Sequence, residues 1–358
     1  MSRYSRHIVL SDIGQKGQDM LSNAKVLVVG AGGLGCPVLQ YIAAAGIGTI
    51  GIIDFDIVEE SNLQRQVLFG ANSLGMNKAI AAKIRLEDLN GTISINAISE
   101  RLNKRNALEL FSNYDIIVDG TDNFATRYLI NDTAVLTNKP VVYGAIFKYE
   151  GQLSAFNYKN GPSYRCLFPN PPKSGSIANC SEVGVLGVLP GIIGTMMANE
   201  VLKIILNFKH TLTGKLLCYN SKTTIFSTLR IHRNQTIIDD ILNRTVLANE
   251  YEDSICDVSF KEISKIELSK LKNVGFIDVR ENHEQPKLEI SNCQVIPWSI
   301  FQTQLGLIDS SKNLVVFCQT GIRSKKAVEF LIKKGITNCF SFKGGISPLI
   351  ESLKTKAL

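Results

Sequence analysis

The sequence predicts an α/β protein in which a mostly parallel, doubly wound sheet is followed by a second, smaller α/β domain. Three observations carry this. Residues 26–29 are apolar and rich in valine, fit for a buried parallel strand, and Gly30, Gly32 and Gly35 follow in G-x-G-x-x-G spacing. Short apolar runs then alternate with helical patterns as far as Arg230. From residue 231 to 260 the chain turns acidic, polar and weakly periodic, and a fresh alternation begins beyond it. A length of 358 residues exceeds one ordinary doubly wound unit and suits two domains. We assign residues 1–232 to a front domain, 233–260 to a linker and 261–358 to a rear domain.

The glycine turn, which includes Gly33, opens a helix and can bring backbone N–H groups against a phosphate at the positive helix end. Pro37 is tolerated there because it falls in the first turn. Residues 49–53 form the next strand, and Asp54 follows at about the place of a ribose-binding acid, roughly 20 residues past the glycines. The run Glu59-Glu60-Ser61-Asn62-Leu63-Gln64-Arg65-Gln66 is too polar for a core and lies just beyond that strand, where open α/β sheets place ligands. Lys78 opens a helix whose Ile80, Ala81, Ile84 and Leu89 are expected to face inward; a lysine at that end opposes the helix dipole and invites an anion.

Residues 93–98 read as a strand, 106–111 as helix and 116–118 as a buried strand that runs into Asp119-Gly120-Thr121-Asp122-Asn123. Asp122 there suits either a metal-holding or catalytic group or a plain helix N-cap. A strand over 141–146 and an alternating segment over 152–158 precede a Gly, Pro and Ser-rich excursion, 160–180, long for a structureless loop and so expected to be functional. The apolar helix over 186–206 carries glycines and a proline that suit burial better than a membrane span, and 216–230 reads as two strands. In the rear, strands are expected over 274–279, 294–296, 314–317 and 340–342, with a helix over 325–334. Between strand and helix stands Cys318-Gln319-Thr320-Gly321-Ile322-Arg323-Ser324. A C-x-x-G-x-R turn aims N–H groups at the Cys318 sulfur, with Arg323 adding positive charge, which favours a thiolate, either to carry a persulfide or to sit in an anion cradle as in a phosphatase.

The net charge of +7 and pI near 8.9 are modest and spread out, which argues for solubility and a mild preference for an acidic partner, not for nucleic acid. The opening MSRYSRHIVL has no apolar export segment, and the eight cysteines include no C-x-x-C pair, so a cytoplasmic location with reduced thiols is expected.

RYSRHI near the start, GAGGLG, DFD, SNLQRQ, Lys78 and TDN together resemble the adenylating enzymes of the MoeB/ThiF type, with a Rossmann-like sheet. IDVRENHE (277–284), the Cys318 loop and FKGGI (342–346) resemble a rhodanese domain. The resemblance implies ATP-dependent adenylation of the C-terminal Gly-Gly carboxylate of a small ubiquitin-like sulfur carrier, then sulfur transfer from a rhodanese persulfide to give a thiocarboxylate. It implies that Asp54 holds the ribose, Asn62 reaches ATP, Arg65 and Lys78 draw the two anions together, and Asp122 anchors Mg²⁺. Arg6 would come from the neighbouring protomer of a homodimer, Cys180 falls where the family has a cysteine over the active site, and the sulfur donor is expected to be of cysteine-desulfurase type. The family's structural zinc calls for two C-x-x-C pairs. Here they read Ser163-Tyr164-Arg165-Cys166 and His232-Arg233-Asn234-Gln235, so no zinc is expected. Two rival readings remain: an NAD-dependent oxidoreductase, from GAGGLG and Asp54 alone, and a non-catalytic carrier-binding scaffold whose rhodanese domain senses sulfur.

Overall fold

The structure is a computed structural model and describes residues 3–172, 184–244, 247, 261–288 and 292–354. The chain divides into two compact units, residues 1–253 and 254–358.

The front unit begins with α1 (Ser5–Ile8) and α2 (Gly14–Asn23), then alternates β1 (Lys25–Val29), α3 (Gly35–Ala44), β2 (Thr49–Ile53), α4 (Lys78–Leu89), β3 (Ser94–Ile98), α5 (Ala107–Ser112), β4 (Ile116–Asp119), α6 (Phe124–Leu136) and β5 (Val141–Phe147). There follow β6 (Glu150–Phe156), α7 (Tyr164–Leu167), α8 (Val188–Ile205), β7 (Lys215–Asn220), β8 (Ile225–Arg230) and α9 (Gln235–Leu242). The eight strands lie in the order β3-β2-β1-β4-β5-β6-β7-β8, parallel from β3 to β5 and antiparallel from β5 to β8. Strands buried on both faces need continuous apolar runs, and β1 supplies one: Val26, Leu27 and Val28 are fully buried and Val29 nearly so. One face packs on α3 and α8 through Val28, Ile42, Ile52, Ile193 and Met197; the other carries Leu27, Phe111, Tyr128 and Phe156. By length and composition α8 could cross a membrane, but here it packs against α3, β5 and β6.

Two expectations are corrected. In α4 the large side chains point out, with Ile80 43%, Ile84 52% and Leu89 39% exposed, and the small ones point in, since Ala79, Ala81 and Ala82 are fully buried with Leu86. Alanines let the helix axis approach its neighbours closely, which the isoleucines would prevent. The first part of the expected linker is helical: Asn234 caps α9 by accepting the Ile237 N–H at 3.3 Å, and Ile238 and Ile241 bury against Val135 of α6. Front-unit packing therefore continues past residue 232.

A buried ionic cluster ties down the start of the 160–180 excursion. The Asp132 carboxylate accepts Arg165 Nε at 2.7 Å and Nη2 at 3.0 Å, and also Arg244 Nη1 at 3.1 Å. Arg165 Nη1 donates to Pro169 O at 3.1 Å, and the Tyr128 hydroxyl donates to Asn170 O at 2.7 Å. Asp132→Ala removes the carboxylate that Arg165 and Arg244 share, so the front unit is expected to lose about 3–5 kcal/mol, read as a lowered melting transition by calorimetry.

The rear unit is a five-stranded parallel sheet in the order β11-β10-β12-β13-β9: β9 (Lys261–Ile263), β10 (Val274–Asp278), β11 (Cys293–Val295), β12 (Asn313–Phe317) and β13 (Cys339–Phe342). Helices α10 (Lys265–Leu268), α11 (Ile322–Lys333) and α12 (Ile346–Lys354) accompany it. Ile277, Val316, Ala327 and Leu331 pack one face, and Val315, Phe317, Phe342 and Leu349 the other.

Candidate active site

In the front unit the strand order reverses at β1. The chain passes from β1 to β2 and β3 on one side and to β4 on the other, and such a switch point opens the crevice in which α/β sheets bind ligands. Gly30 has φ +92°, a conformation glycine adopts without strain, and a β-carbon on it would lie 3.1 Å from Gly120 O. The turns after β1 and β4 thus touch backbone to backbone. Gly33 lies under Pro190 and Arg65, with Arg65 Cγ 3.7 Å from the place its β-carbon would take.

Asp54, at the end of β2, turns back onto this loop. Its Oδ2 accepts the Ala31 N–H at 2.8 Å and its Oδ1 the Asp56 N–H at 2.9 Å. Burial pushes its pKa up, and these bonds and Lys78 nearby pull in the opposite direction. Asn77 joins this loop to α4: its Nδ2 donates to Asp54 O at 2.9 Å, while its Oδ1 caps the helix by accepting Ala79 and Ile80 N–H groups. Lys78 follows, buried, with Nζ 3.2 Å from Asp56 Oδ2. Arg65 Nη1 donates to Ser61 O at 2.9 Å, and the buried Asn62 accepts the Glu59 N–H at 3.1 Å. Part of the polar run is therefore inside, its backbone demands met by its own side chains.

Asp122 is exposed, and its carboxylate makes no hydrogen bond among the described residues. The cap of α6 is Asn123, whose side chain accepts the Thr126 N–H at 2.9 Å. A single exposed carboxylate beside a glycine turn fits the way Mg²⁺ is held, by one or two carboxylates plus substrate phosphates. The residue before it is clamped. Asp119 Oδ1 accepts the Thr121 N–H at 3.1 Å and its hydroxyl at 2.7 Å, while Arg127 Nη2 donates to Thr121 O at 2.9 Å. Asp119 and Arg127 are both buried, and Asp119's pKa is raised by that burial. Sequence reasoning passed over Arg127, which stands one turn into α6, four residues after Asn123.

Arg6 is exposed on α1 and has no hydrogen bond or ion pair among the described residues. Cys180 lies outside the described residues. Around Cys166, Ser163 and Asn234 each donate a backbone N–H to Sγ at 3.3 Å. Both positions expected of a zinc knuckle therefore meet, but around one thiol, and one sulfur does not make a tetrahedral set. Among the described residues no group of three or more His, Cys, Asp or Glu could hold a metal.

In the rear unit Cys318 follows β12 and is fully buried. The Gly321 N–H donates to its Sγ at 3.1 Å, and Ser324 Oγ stands 3.7 Å away at the start of α11. Gly321 adopts φ +95° as the helix cap, and a β-carbon on Gly345 would collide with Gln319 O, so the Gly-Gly pair closes onto the loop. Arg323 is held fork to fork by Glu284, with Nη1 and Nη2 each 2.6 Å from a carboxylate oxygen. Its charge is shared between Glu284 and the Cys318 sulfur, with which it also interacts electrostatically, and the polar atoms nearest the sulfur are the Gly321 N–H and Ser324 Oγ.

The Arg323 hydrogen bonds pull Glu284 down to about 2. A folded-state pKa below the unfolded one means that the pair stabilises fully above about pH 5 and weakens progressively as pH falls toward about 2. The rear unit's denaturation midpoint is expected to drop across that window. Glu284→Gln should flatten the slope, measured by urea unfolding at several pH values.

Residues 4–237 match the ThiF family and residues 264–351 the Rhodanese-like domain. The chain belongs to the ThiF family. Behind its ThiF domain it carries a Rhodanese-like domain in the rear unit. It is 40% identical over 360 residues to the probable adenylyltransferase/sulfurtransferase MoeZ of Mycobacterium tuberculosis, covering 97% of this chain and 92% of that protein. It is 47% identical over 239 residues to a sulfur carrier protein adenylyltransferase of Thermus thermophilus, covering 65% of this chain and 88% of that protein. Among solved structures, the ThiF domain is similar to E. coli MccB crystallised with MccA-N7isoASN, at a TM-score of 0.59 and 26% identity over 65% of this chain and 72% of that one.

Proposed function

We propose that the ThiF domain adenylates the C-terminal Gly-Gly carboxylate of a small ubiquitin-like sulfur carrier with ATP, and that the Rhodanese-like domain delivers sulfur to it from a persulfide on Cys318. The observation that carries this reading is the grouping at the β1/β4 crevice: Arg65 over Gly33, Lys78 beside Asp54 and Asp56, and Asp122 on a turn packed against Gly30. The relatives' names, adenylyltransferase/sulfurtransferase and sulfur carrier protein adenylyltransferase, support it.

Bringing a carboxylate up to a triphosphate sets two anions together, and positive groups must offset their repulsion. Arg65 and Lys78 are placed to do so, with Arg6 of a second protomer as a further cation. Asp54 would orient the ribose and Asn62 contact the nucleotide. Asp122 would hold Mg²⁺, which when bound screens the phosphates and stabilises the departing pyrophosphate. The products are the carrier's acyl-adenylate and pyrophosphate. The terminal sulfur of Cys318–S–S⁻ then attacks the acyl carbon and AMP leaves, giving an acyl disulfide. A second thiol, for which Cys180 is the candidate, attacks Cys318 Sγ and releases the thiocarboxylate, forming a disulfide in its place. An external dithiol reductant would reopen that disulfide, itself becoming a disulfide, and a cysteine desulfurase would then reload the freed Cys318 thiolate; a shared chain raises the donor's effective concentration near a hydrolysable intermediate. We place the activity in the cytoplasm, in a homodimer. A nicotinamide-dependent oxidoreductase would leave Arg65, Lys78 and Asp122 without a task.

The test is ATP–pyrophosphate exchange with candidate carriers. The account expects exchange with a carrier that keeps its last two glycines and none with one that lacks them. Exchange indifferent to those glycines, or lacking with every carrier, would remove the adenylation reading.

A further inference from the structure

Two buried hydroxyls behind Cys318 have no task in the chemistry above. Ser324, in the first turn of α11, and Ser341, in β13, are both fully buried, with their Oγ atoms 2.9 Å apart. Ser324 Oγ stands 3.7 Å from Cys318 Sγ and 3.0 Å from Gly321 O. A hydroxyl has one hydrogen to give and two lone pairs to receive. With Cys318 as a thiol every demand is met: its S–H gives to Ser324 Oγ, and Ser324 gives its own hydrogen to Gly321 O. Two alanines would fill the same space with no polar demand at all, so the pair calls for an explanation.

Ionisation reverses the demand at the sulfur. A thiolate, like the Sγ of a persulfide, has no hydrogen and can only accept. Ser324 can turn its hydrogen from Gly321 O to Sγ and strand nothing, because Gly321 O also accepts the Lys325 N–H at 3.2 Å and Ser341 lies in place to donate to the Ser324 oxygen. We propose that Ser324 donates to the ionised Cys318 sulfur alongside the Gly321 N–H, and that Ser341 is a positioning residue acting through Ser324, holding its oxygen as acceptor so that its hydrogen faces the sulfur. This rests on the reading of Cys318 as the sulfur-carrying thiol and deepens it. The charges around the sulfur act separately: Arg323 on the sulfur, Glu284 and Glu281 on Arg323, while Asp278 on the neighbouring strand β10 is closed on Arg280.

Ser324→Ala, Ser341→Ala and the double variant in the full-length chain test it, by the rate at which iodoacetamide alkylates Cys318, followed on its own peptide by mass spectrometry at about pH 7 and about pH 10. At the lower pH Ser324→Ala is expected to slow alkylation about tenfold and Ser341→Ala about threefold. The double variant should be no slower than Ser324→Ala, since Ser341 has no route to the sulfur once Ser324 is gone. Ser324→Ala leaves the Ser341 hydroxyl unpaired; should it not fold, the double variant, which strands neither hydroxyl, carries the same tenfold expectation. At the higher pH, where the thiol ionises without help, all the proteins should react within about twofold of one another. A fall by the same factor at both pH values marks a change of access and overturns the proposal. Wild-type rates in either single variant at the lower pH overturn it too, as do losses that multiply in the double variant. Failure of the sulfur-transfer reading shows separately, as wild-type protein whose Cys318 depends on Ser324 in this way yet passes no sulfur to any carrier.

Discussion

Asp122→Ala is expected to cut carrier-dependent ATP–pyrophosphate exchange by about 10²–10³-fold while leaving the melting temperature unchanged. The separation follows from what the side chain touches. Its carboxylate has no hydrogen bond among the described residues, and the capping work at the start of α6 belongs to Asn123. Removing it leaves no buried group unpaired and opens no cavity, so stability has no reason to fall. The turn itself stays in place, because Asp119 and Arg127 grip Thr121 from both sides. What disappears is the negative group proposed to hold the metal at the departing pyrophosphate. The same variant discriminates the non-catalytic scaffold, under which carrier binding and sulfur sensing need no carboxylate at this position. Exchange that survives at the wild-type rate would favour the scaffold.

Cys318→Ser should separate the two chemistries. Thiocarboxylate formation is expected to fall to background, and the single added sulfur seen by mass spectrometry after loading should vanish, while exchange continues at the wild-type rate. The substitution suits the site physically. The serine hydroxyl can accept the Gly321 N–H that now reaches Sγ at 3.1 Å, with Ser324 Oγ close by, so the buried position does not acquire an unpaired group. A loss of sulfur transfer then reports on the missing nucleophile and not on a disturbed fold. Thiocarboxylate made at the wild-type rate by the serine protein would end the role proposed for Cys318.

The elements legible in the sequence are those whose signal is local. Val26 to Asp54 spells out strand, glycine turn, helix, strand and acid in one unbroken stretch, and the Cys318 loop does the same in the rear unit. What stayed hidden depends on partners distant along the chain. Lys78 reads as an open cation, yet Asp56, 22 residues earlier, occupies it. Arg323 reads as charge offered to the sulfur, and what the sequence does not show is that Glu284, 39 residues earlier, also takes both arms of its fork. The inward face of α4 was misread because alternating isoleucines carry more apolar weight than alanines, whereas close packing against its neighbours favours the smaller side chains. Helix α9 was missed for its length: eight residues with isoleucines at 237, 238 and 241 give barely two turns of periodicity inside an acidic segment. The links that hold the segment around Cys166 were equally hidden, since the Asp132, Arg165 and Arg244 cluster and the Asn234 N–H on Cys166 Sγ join residues 33 to 112 apart in sequence.

The central claim is that one chain both activates a carboxylate and supplies the sulfur that replaces its oxygen. The most direct measurement follows a single sulfur atom. Cys318 is loaded with heavy-isotope sulfur, excess donor is removed, and a Gly-Gly carrier and ATP are added for one turnover before intact-mass analysis of both proteins. The account predicts that the heavy sulfur leaves Cys318 and appears in the carrier's C-terminal thiocarboxylate, only when ATP is present. Label that stays on Cys318 while the acyl-adenylate hydrolyses, or a carrier that gains only unlabelled sulfur, would contradict it.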